Sequence, residues 1–335
     1  MADAPLLEVT DLSVEFPSDD GNVLAVDKVS YVINEGETLG IVGESGSGKS
    51  VTSMAVLGLL PKRAKITGSV KFRGRELIGL SDKEMRPLRG AHIAMIFQDA
   101  LTALNPVFRV GDQIAENITA HHKVPKAQLE QRVIQLLELV GIPNPVERAN
   151  QYPHEFSGGM RQRAMIAMSI ANEPDLLIAD EPTTALDVTI QAQVLEVMDR
   201  IKDRTKSAIA LITHDLGVVA GVADRVMVMY AGRLVERGNV DQIFYTPRHP
   251  YTDGLLASLP RLDRRAGNER LHRIKGQPPS QVALPPGCAF NPRCPHAKHL
   301  ICDGPRPELV SVGFGGQQSA CFRVAEIYAD VVVPT

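Results

Sequence analysis

Gly43-Glu44-Ser45-Gly46-Ser47-Gly48-Lys49-Ser50 fits the pattern G-x-x-x-x-G-K-[ST] at every position. Loops of this kind hold phosphates. Gly43, Gly46 and Gly48 let backbone N–H groups close around phosphate oxygens with no Cβ in the way. Lys49 adds a point charge, the Ser50 hydroxyl suits Mg²⁺, and Ser45, Ser47 and Val51 complete the nucleotide-binding stretch. A glycine-rich turn without function is the plain alternative. Against it stand the apolar run Thr38-Leu39-Gly40-Ile41-Val42 before the loop and the helix-compatible residues Val51 to Leu60 after it. Three further stretches carry chemistry. Leu176-Leu177-Ile178-Ala179 reads as a buried strand that delivers the carboxylates of Asp180 and Glu181 at its C-terminal end, where α/β sheets keep their ligands. Ser157-Gly158-Gly159 reads as the start of a helix, whose free N–H groups and dipole suit an anion. His214 follows a third apolar run, Ala208 to Thr213. Standing alone, an acidic pair would be a turn, Ser-Gly-Gly a cap, and His214 an ordinary core group.

Elements able to position these residues are readable around them. Leu7 to Thr10, Leu12 to Phe16 and Val23 to Ile33 alternate apolar and polar residues, as half-buried strands do, and Val70-Lys71-Phe72 extends that antiparallel layer. Ile93 to Phe97 is a continuous apolar run of strand length. From Val110 to Gly141 the pattern is helical, with Leu129, Val133, Leu136, Leu137 and Val140 on one stripe. Ser157 caps a helix through Ile170, and a helix from Ile190 to Asp203 separates the strands Leu176 to Ala179 and Ala208 to Thr213. Val226 to Tyr230 is the last strand. Strands alternating with helices predict an α/β fold with a mostly parallel, covered sheet.

The net charge of −3 gives no electrostatic footprint for nucleic acid. No apolar run approaches the ~18–20 residues that span a bilayer, and Met1-Ala2-Asp3-Ala4-Pro5 lacks the features of a signal peptide. Work at a membrane is therefore expected to pass through a membrane-embedded partner.

Taken in order, the phosphate loop, Ser157-Gly158-Gly159, Asp180-Glu181 and His214 resemble the ATP-binding-cassette (ABC) family over residues 1 to about 240. The resemblance implies a P-loop sheet with an antiparallel β layer and a helical subdomain at about 105–172, within an ATPase domain at 1–245. It implies that Asp180 holds Mg²⁺, that Glu181 polarises the attacking water, and that His214 contacts the γ-phosphate. Gln98 would link Mg²⁺ and water to the transport subunit, and Asp187 closes the loop Pro182 to Asp187 beside the nucleotide. Phe16 is the candidate for stacking on adenine. Ser157, Gly158 and Gly159 would act on ATP held by the partner's loop. Met160 stands where the commoner family pattern has Gln.

Beyond residue 240, Arg248-His249-Pro250-Tyr251-Thr252, Leu259-Pro260-Arg261-Leu262-Asp263 and Gly287 to His296 resemble the tail of ATP-binding subunits from bacterial oligopeptide and dipeptide importers. This predicts a linker and a small cysteine-rich extension at 246–335. All four cysteines lie there, Cys288, Cys294, Cys302 and Cys321, spaced C-x5-C-x7-C-x18-C. A reducing compartment argues against disulfides. The lack of a C-x-x-C knuckle weakens a structural Zn²⁺ site. Four thiolates suit a [4Fe–4S] cluster, which the importer resemblance also implies; Zn²⁺ and unliganded thiols stay open, with His296 and His299 as rival ligands.

The expected function is ATP hydrolysis powering peptide uptake from the cytoplasmic face of the membrane. The expected partners are a second ABC ATPase subunit, identical or related, two transmembrane permease subunits and an extracytoplasmic peptide-binding protein. A soluble ABC ATPase of iron–sulfur assembly is the rival. ABC proteins of translation or repair carry paired cassettes or long insertions, which this chain lacks.

Overall fold

The computed structural model describes residues 4–18, 21–99, 103–184, 187–259, 273–313 and 315–328. Ala185, Leu186 and the stretch Pro260 to Asp263 named above lie outside them. The described strands are β1 (Leu7–Phe16), β2 (Val23–Ile33), β3 (Thr38–Val42), β4 (Lys65–Phe72), β5 (Arg75–Glu76), β6 (Ile93–Ile96), β7 (Leu176–Asp180), β8 (Ala208–Thr213), β9 (Arg225–Tyr230), β10 (Arg233–Asn239), β11 (Val310–Ser311) and β12 (Gln318–Ser319). The chain divides into two compact units. One comprises residues up to 7, 33–38 and 72–212, and the other residues 8–32, 39–71 and 213 onward.

In the first unit β6, β7 and β8 run parallel, with Ile93 opposite Leu176 and Leu176 opposite Ala208. β7 and β8 are buried along their whole length. This is why they read as unbroken apolar runs rather than alternating ones. Helices Val110–Thr119, Lys126–Leu139 and Gly158–Ser169 also belong to this unit. The continuous helical pattern expected from Val110 to Gly141 is in fact two helices. Pro125 bars the residue before it from helical geometry and caps the second helix from outside.

In the second unit β3 and β9 pair in parallel, Val42 opposite Val228. β9 pairs antiparallel with β10, β10 with β12, and β12 with β11. β2, β1 and β4 form the separate antiparallel layer, in that order. The two strands expected before the phosphate loop, over Leu7 to Phe16 and Val23 to Ile33, form as β1 and β2, and β1 runs unbroken through Asp11. Asp11 adopts a left-handed backbone (φ +47°) without ending the strand, and its N–H donates to Ser30 Oγ at 2.8 Å. β10, β11 and β12 were not anticipated; through them the segment expected to be a linker and cysteine-rich extension joins a sheet. Val42, Val228, Tyr230, Ile243, Tyr251 and Phe290 share one buried apolar core. Among the described residues no helix is long and apolar enough to cross a membrane.

Candidate nucleotide site

The phosphate loop springs from the buried end of β3 and runs into the helix Lys49–Val56. Its glycines are obligatory for two different reasons. A Cβ on Gly43 would lie 2.2 Å from the Met229 carbonyl oxygen, a clash with backbone that cannot yield. Gly48 has φ +99°, and a Cβ there would sit 2.6 Å from the Ala25 carbonyl oxygen. Ser47 is buried, and its carbonyl accepts the Gly232 N–H at 3.0 Å, tying the loop to the turn between β9 and β10. Ser45 and Gly46 are exposed, Ser50 and Val51 half-buried. Lys49 is buried, and its ammonium donates to the carbonyls of Gly43 (2.7 Å) and Glu44 (3.1 Å) and to Ser47 Oγ (3.5 Å). The loop's own oxygens thus hold the cation over the cradle that phosphate oxygens would enter.

The same unit holds His214 and Phe16. His214 is exposed just past the end of β8. Its neighbours are fixed: Thr213 Oγ1 accepts the Asp215 N–H at 3.0 Å, and Asp215 caps the next helix by accepting the Gly217 N–H at 2.8 Å. Phe16 is half-buried at the end of β1.

In the other unit the acidic pair splits by environment. Asp180 is buried at the end of β7, while Glu181 is half-buried in a left-handed backbone conformation, φ +49°. Such geometry in a non-glycine residue costs on the order of 1–3 kcal/mol and concentrates at functional sites. Here it is held in place: the Glu181 N–H donates to the Ile212 carbonyl at 2.8 Å, and Glu181 Oε2 accepts Gln98 Nε2 (3.0 Å) and Thr184 Oγ1 (2.7 Å). Gln98 and Glu181, 83 residues apart, are therefore one constellation. Thr184 is a partner that sequence reasoning did not single out.

Ser157 caps the helix Gly158–Ser169 by accepting the Met160 N–H at 3.3 Å, so Met160 joins the cap through its backbone. Ser157 and Gly158 are exposed, leaving this helix start open to solvent. Gly159 is buried, and a Cβ on it would lie 2.9 Å from Ile190 Cγ2 in the helix Val188–Thr205. Asp187 caps that helix, accepting the Ile190 N–H at 2.9 Å. Gln162 Nε2 donates to the Pro182 carbonyl at 2.6 Å. The Ser-Gly-Gly helix and the segment after Glu181 are thus tied to one another within this unit.

Comparison with known proteins places these features. Residues 26–184 match the ABC transporter family, and residues 235–302 match the C-terminal region of oligopeptide/dipeptide transporters. The oligopeptide transport ATP-binding protein OppD of Salmonella typhimurium is 50% identical over 96% of this chain and 94% of its own length. The dipeptide transport ATP-binding protein DppD of Bacillus subtilis is 56% identical over 89% of each chain. This chain belongs to the oligopeptide/dipeptide transport ATP-binding protein family. The dimeric structure of MJ0796, a bacterial ABC transporter cassette, superposes with TM-score 0.64 at 24% identity, covering 70% of this chain and 98% of that one; it shares the fold.

The part that distinguishes this peptide-transport family is the tail. Cys288, Cys294, Cys302 and Cys321 are all free thiols and half-buried. Burial, offset in part by backbone hydrogen bonds, pushes Cys294 up to about 11 and Cys321 up to about 12. Burial likewise raises Cys288, with a further push from the Cys302 charge nearby. The four thiols share a neighbourhood, but no group of three or more His, Cys, Asp or Glu among the described residues is arranged to hold a metal ion. The expected four-thiolate ligand set is not formed by this arrangement. His299, one of the two suggested rival ligands, pairs instead with Asp303. The tail also reaches the phosphate loop, a coupling that no residue pattern announced: Tyr251, Gln281 and Arg293 all bond to it. A Tyr 207 residues from its partner leaves no trace in local spacing.

Proposed function

We propose that this chain is the ATP-hydrolysing subunit that powers uptake of oligopeptides or dipeptides through an ABC importer. One observation carries the reading: near-full-length identity of 50–56% to peptide-transport ATP-binding proteins in a chain that keeps every phosphate-handling motif. Lys49 and backbone amides of the loop beyond Glu44 hold the phosphates. Glu181 accepts a proton from, and orients, the attacking water, with Gln98 and Thr184 fixing its carboxylate. His214 steadies the γ-phosphate, Phe16 stacks on adenine, and Asp187 lies beside the nucleotide.

By family resemblance Ser50, Gln98 and Asp180 would hold Mg²⁺, and each offers an oxygen, the ligand atom that this hard cation takes. Gln98 turns its amide nitrogen to Glu181, which leaves its amide oxygen as the acceptor. When bound, the ion neutralises phosphate charge. The exposed cap at Ser157 and Gly158 supports a composite site, in which these amides meet ATP held by a second ABC ATPase subunit. The pair would drive two membrane permeases from the cytoplasmic face, fed by an external peptide-binding protein. Residues 1–245 are the ATPase part, with a helical part at about 105–172, and 246–335 its extension. A [4Fe–4S] cluster in that extension is a finer reading. The shared neighbourhood of the four thiols supports it, and the lack of a ready ligand group stands against it; no step of hydrolysis depends on it.

The test is Glu181→Gln. Removing a general base costs about 10²–10⁴ in rate, so turnover should fall at least about 100-fold while Mg-ATP still binds. Hydrolysis near the wild-type rate would remove Glu181 from the chemistry.

A further inference from the structure

The phosphate loop is gripped from outside the cassette motifs. Glu44, the first variable residue of the loop, is held at three points. Its carboxylate takes a two-pronged ion pair from Arg293, Nη1 to Oε2 at 2.5 Å and Nη2 to Oε1 at 3.0 Å. Its N–H donates to Tyr251 Oη at 2.9 Å, and its carbonyl accepts Lys49 Nζ at 3.1 Å. Two residues on, the Gly46 carbonyl accepts Gln281 Nε2 at 2.9 Å. Arg293 cannot swing away freely. Its side chain is only 5% exposed, its guanidinium lies 5.8 Å from the Tyr230 ring centre and 6.0 Å from that of Phe290, and its Nε donates to the Lys275 carbonyl. Tyr230, Tyr251 and Phe290 pack on one another with ring centres 4.6–5.3 Å apart.

A carboxylate is an odd residue in a loop that receives a polyanion, since like charges repel. Paired in both prongs with a caged guanidinium, it has its charge compensated and its direction fixed. Resting on the ATP-site reading above, we propose that the C-terminal tail is a positioning element for the phosphate loop. Arg293 cancels the Glu44 charge and, with Tyr251 and Gln281, holds the loop in shape for the triphosphate. Arg293 touches no nucleotide in this scheme; it acts through Glu44.

Mg-ATP affinity of the full chain, read by titration with a fluorescent ATP analogue, tests this alongside thermal unfolding. Arg293→Met strands a charge on the loop and should weaken Kd about tenfold, equal to about 1.4 kcal/mol. Glu44→Gln in the same chain removes the stranded charge and should bring Kd back to within about threefold of wild type. Arg293→Lys, which keeps the charge but loses the fork, should fall between. Arg306→Met removes a different tail contact, to Asp27 at 2.8 Å, remote in sequence from the loop; it should lower stability without moving Kd. If Arg293→Met fails to fold, Gln281→Ala carries the test, with an expected loss of about threefold for one hydrogen bond. An unchanged Kd in folded Arg293→Met, no recovery in the double variant, or an equal loss in Arg306→Met would overturn the proposal. Wild-type chain that binds no Mg-ATP would instead overturn the ATP-site reading beneath it.

Discussion

Replacing Glu236 by Gln should stabilise the protein, and by more as the pH rises. Glu236 lies on β10 with no solvent exposure. Its Oε1 accepts the Arg248 N–H at 2.6 Å and Gln317 Nε2 at 3.0 Å, whereas its buried Oε2 has no hydrogen-bond partner. Burial raises the carboxyl from 4.5 to about 7. At 1.36 kcal/mol per pKa unit, full ionisation in the native state costs roughly 3 kcal/mol. The native state binds the proton more tightly, so stability is intact below about 4.5, declines as pH rises through about 7, and stays low above it. Gln keeps the shape and carries no charge to bury. Its advantage over Glu should therefore grow by roughly 2.5 kcal/mol between pH 5 and pH 8, allowing for partial ionisation of the unfolded chain at pH 5. His249 is pushed down to about 4 by burial and costs stability as pH falls toward that value, but it is common to both proteins and cancels. Thermal unfolding at the two pH values is the assay. The melting-point difference should widen by about 5–10 °C for a unit of this size. A difference of equal size at both pH values would refute the reasoning.

Two other predictions follow from the site. Lys49→Ala removes a buried cation that bonds three loop oxygens. Mg-ATP binding should weaken by at least about 30-fold, consistent with the loss of one partner of a charge pair, and equilibrium dialysis showing unchanged affinity would exclude Lys49 from phosphate binding. For the tail, metal and sulfide analysis of anaerobically purified protein decides between readings: about four irons and four sulfides per chain would establish the cluster, one zinc would replace it, and metal-free protein would leave four plain thiols.

Local features were legible in the sequence and distant ones were not. The phosphate loop could be read because its glycines, Lys49 and Ser50 work within a single strand–turn–helix, where spacing along the chain is spacing in space. The Asp180-Glu181 pair was visible for the same reason, since a buried parallel strand has an unmistakable apolar run before it. The left-handed backbone of Glu181 left no mark, because nothing about the residue type demands it; the Ile212 and Thr184 contacts impose it. The left-handed backbone of Asp11 left no mark either; Ser30 supports it inside a strand that stays continuous. The Glu44–Arg293 pair joins residues 249 apart, and either would pass as a solvated surface charge. β12 is two residues long, too short for any alternation to appear.

That short strand has a bearing on how the chain avoids sticking to itself. An open strand edge offers unpaired N–H and C=O groups to any passing chain. β12 lies along β10, with Ser319 opposite Glu236 and Gln318 opposite Arg237, while β11 beyond it is only two residues long and exposed. The sheet therefore ends in a rim too brief to template another strand. A chain cut at the proline-rich stretch before Cys288 would keep every nucleotide motif yet bare the flank of β10 that Gln318 and Ser319 occupy. Such a chain would lose the hold of Arg293 on Glu44 and would also be open to self-association through that flank.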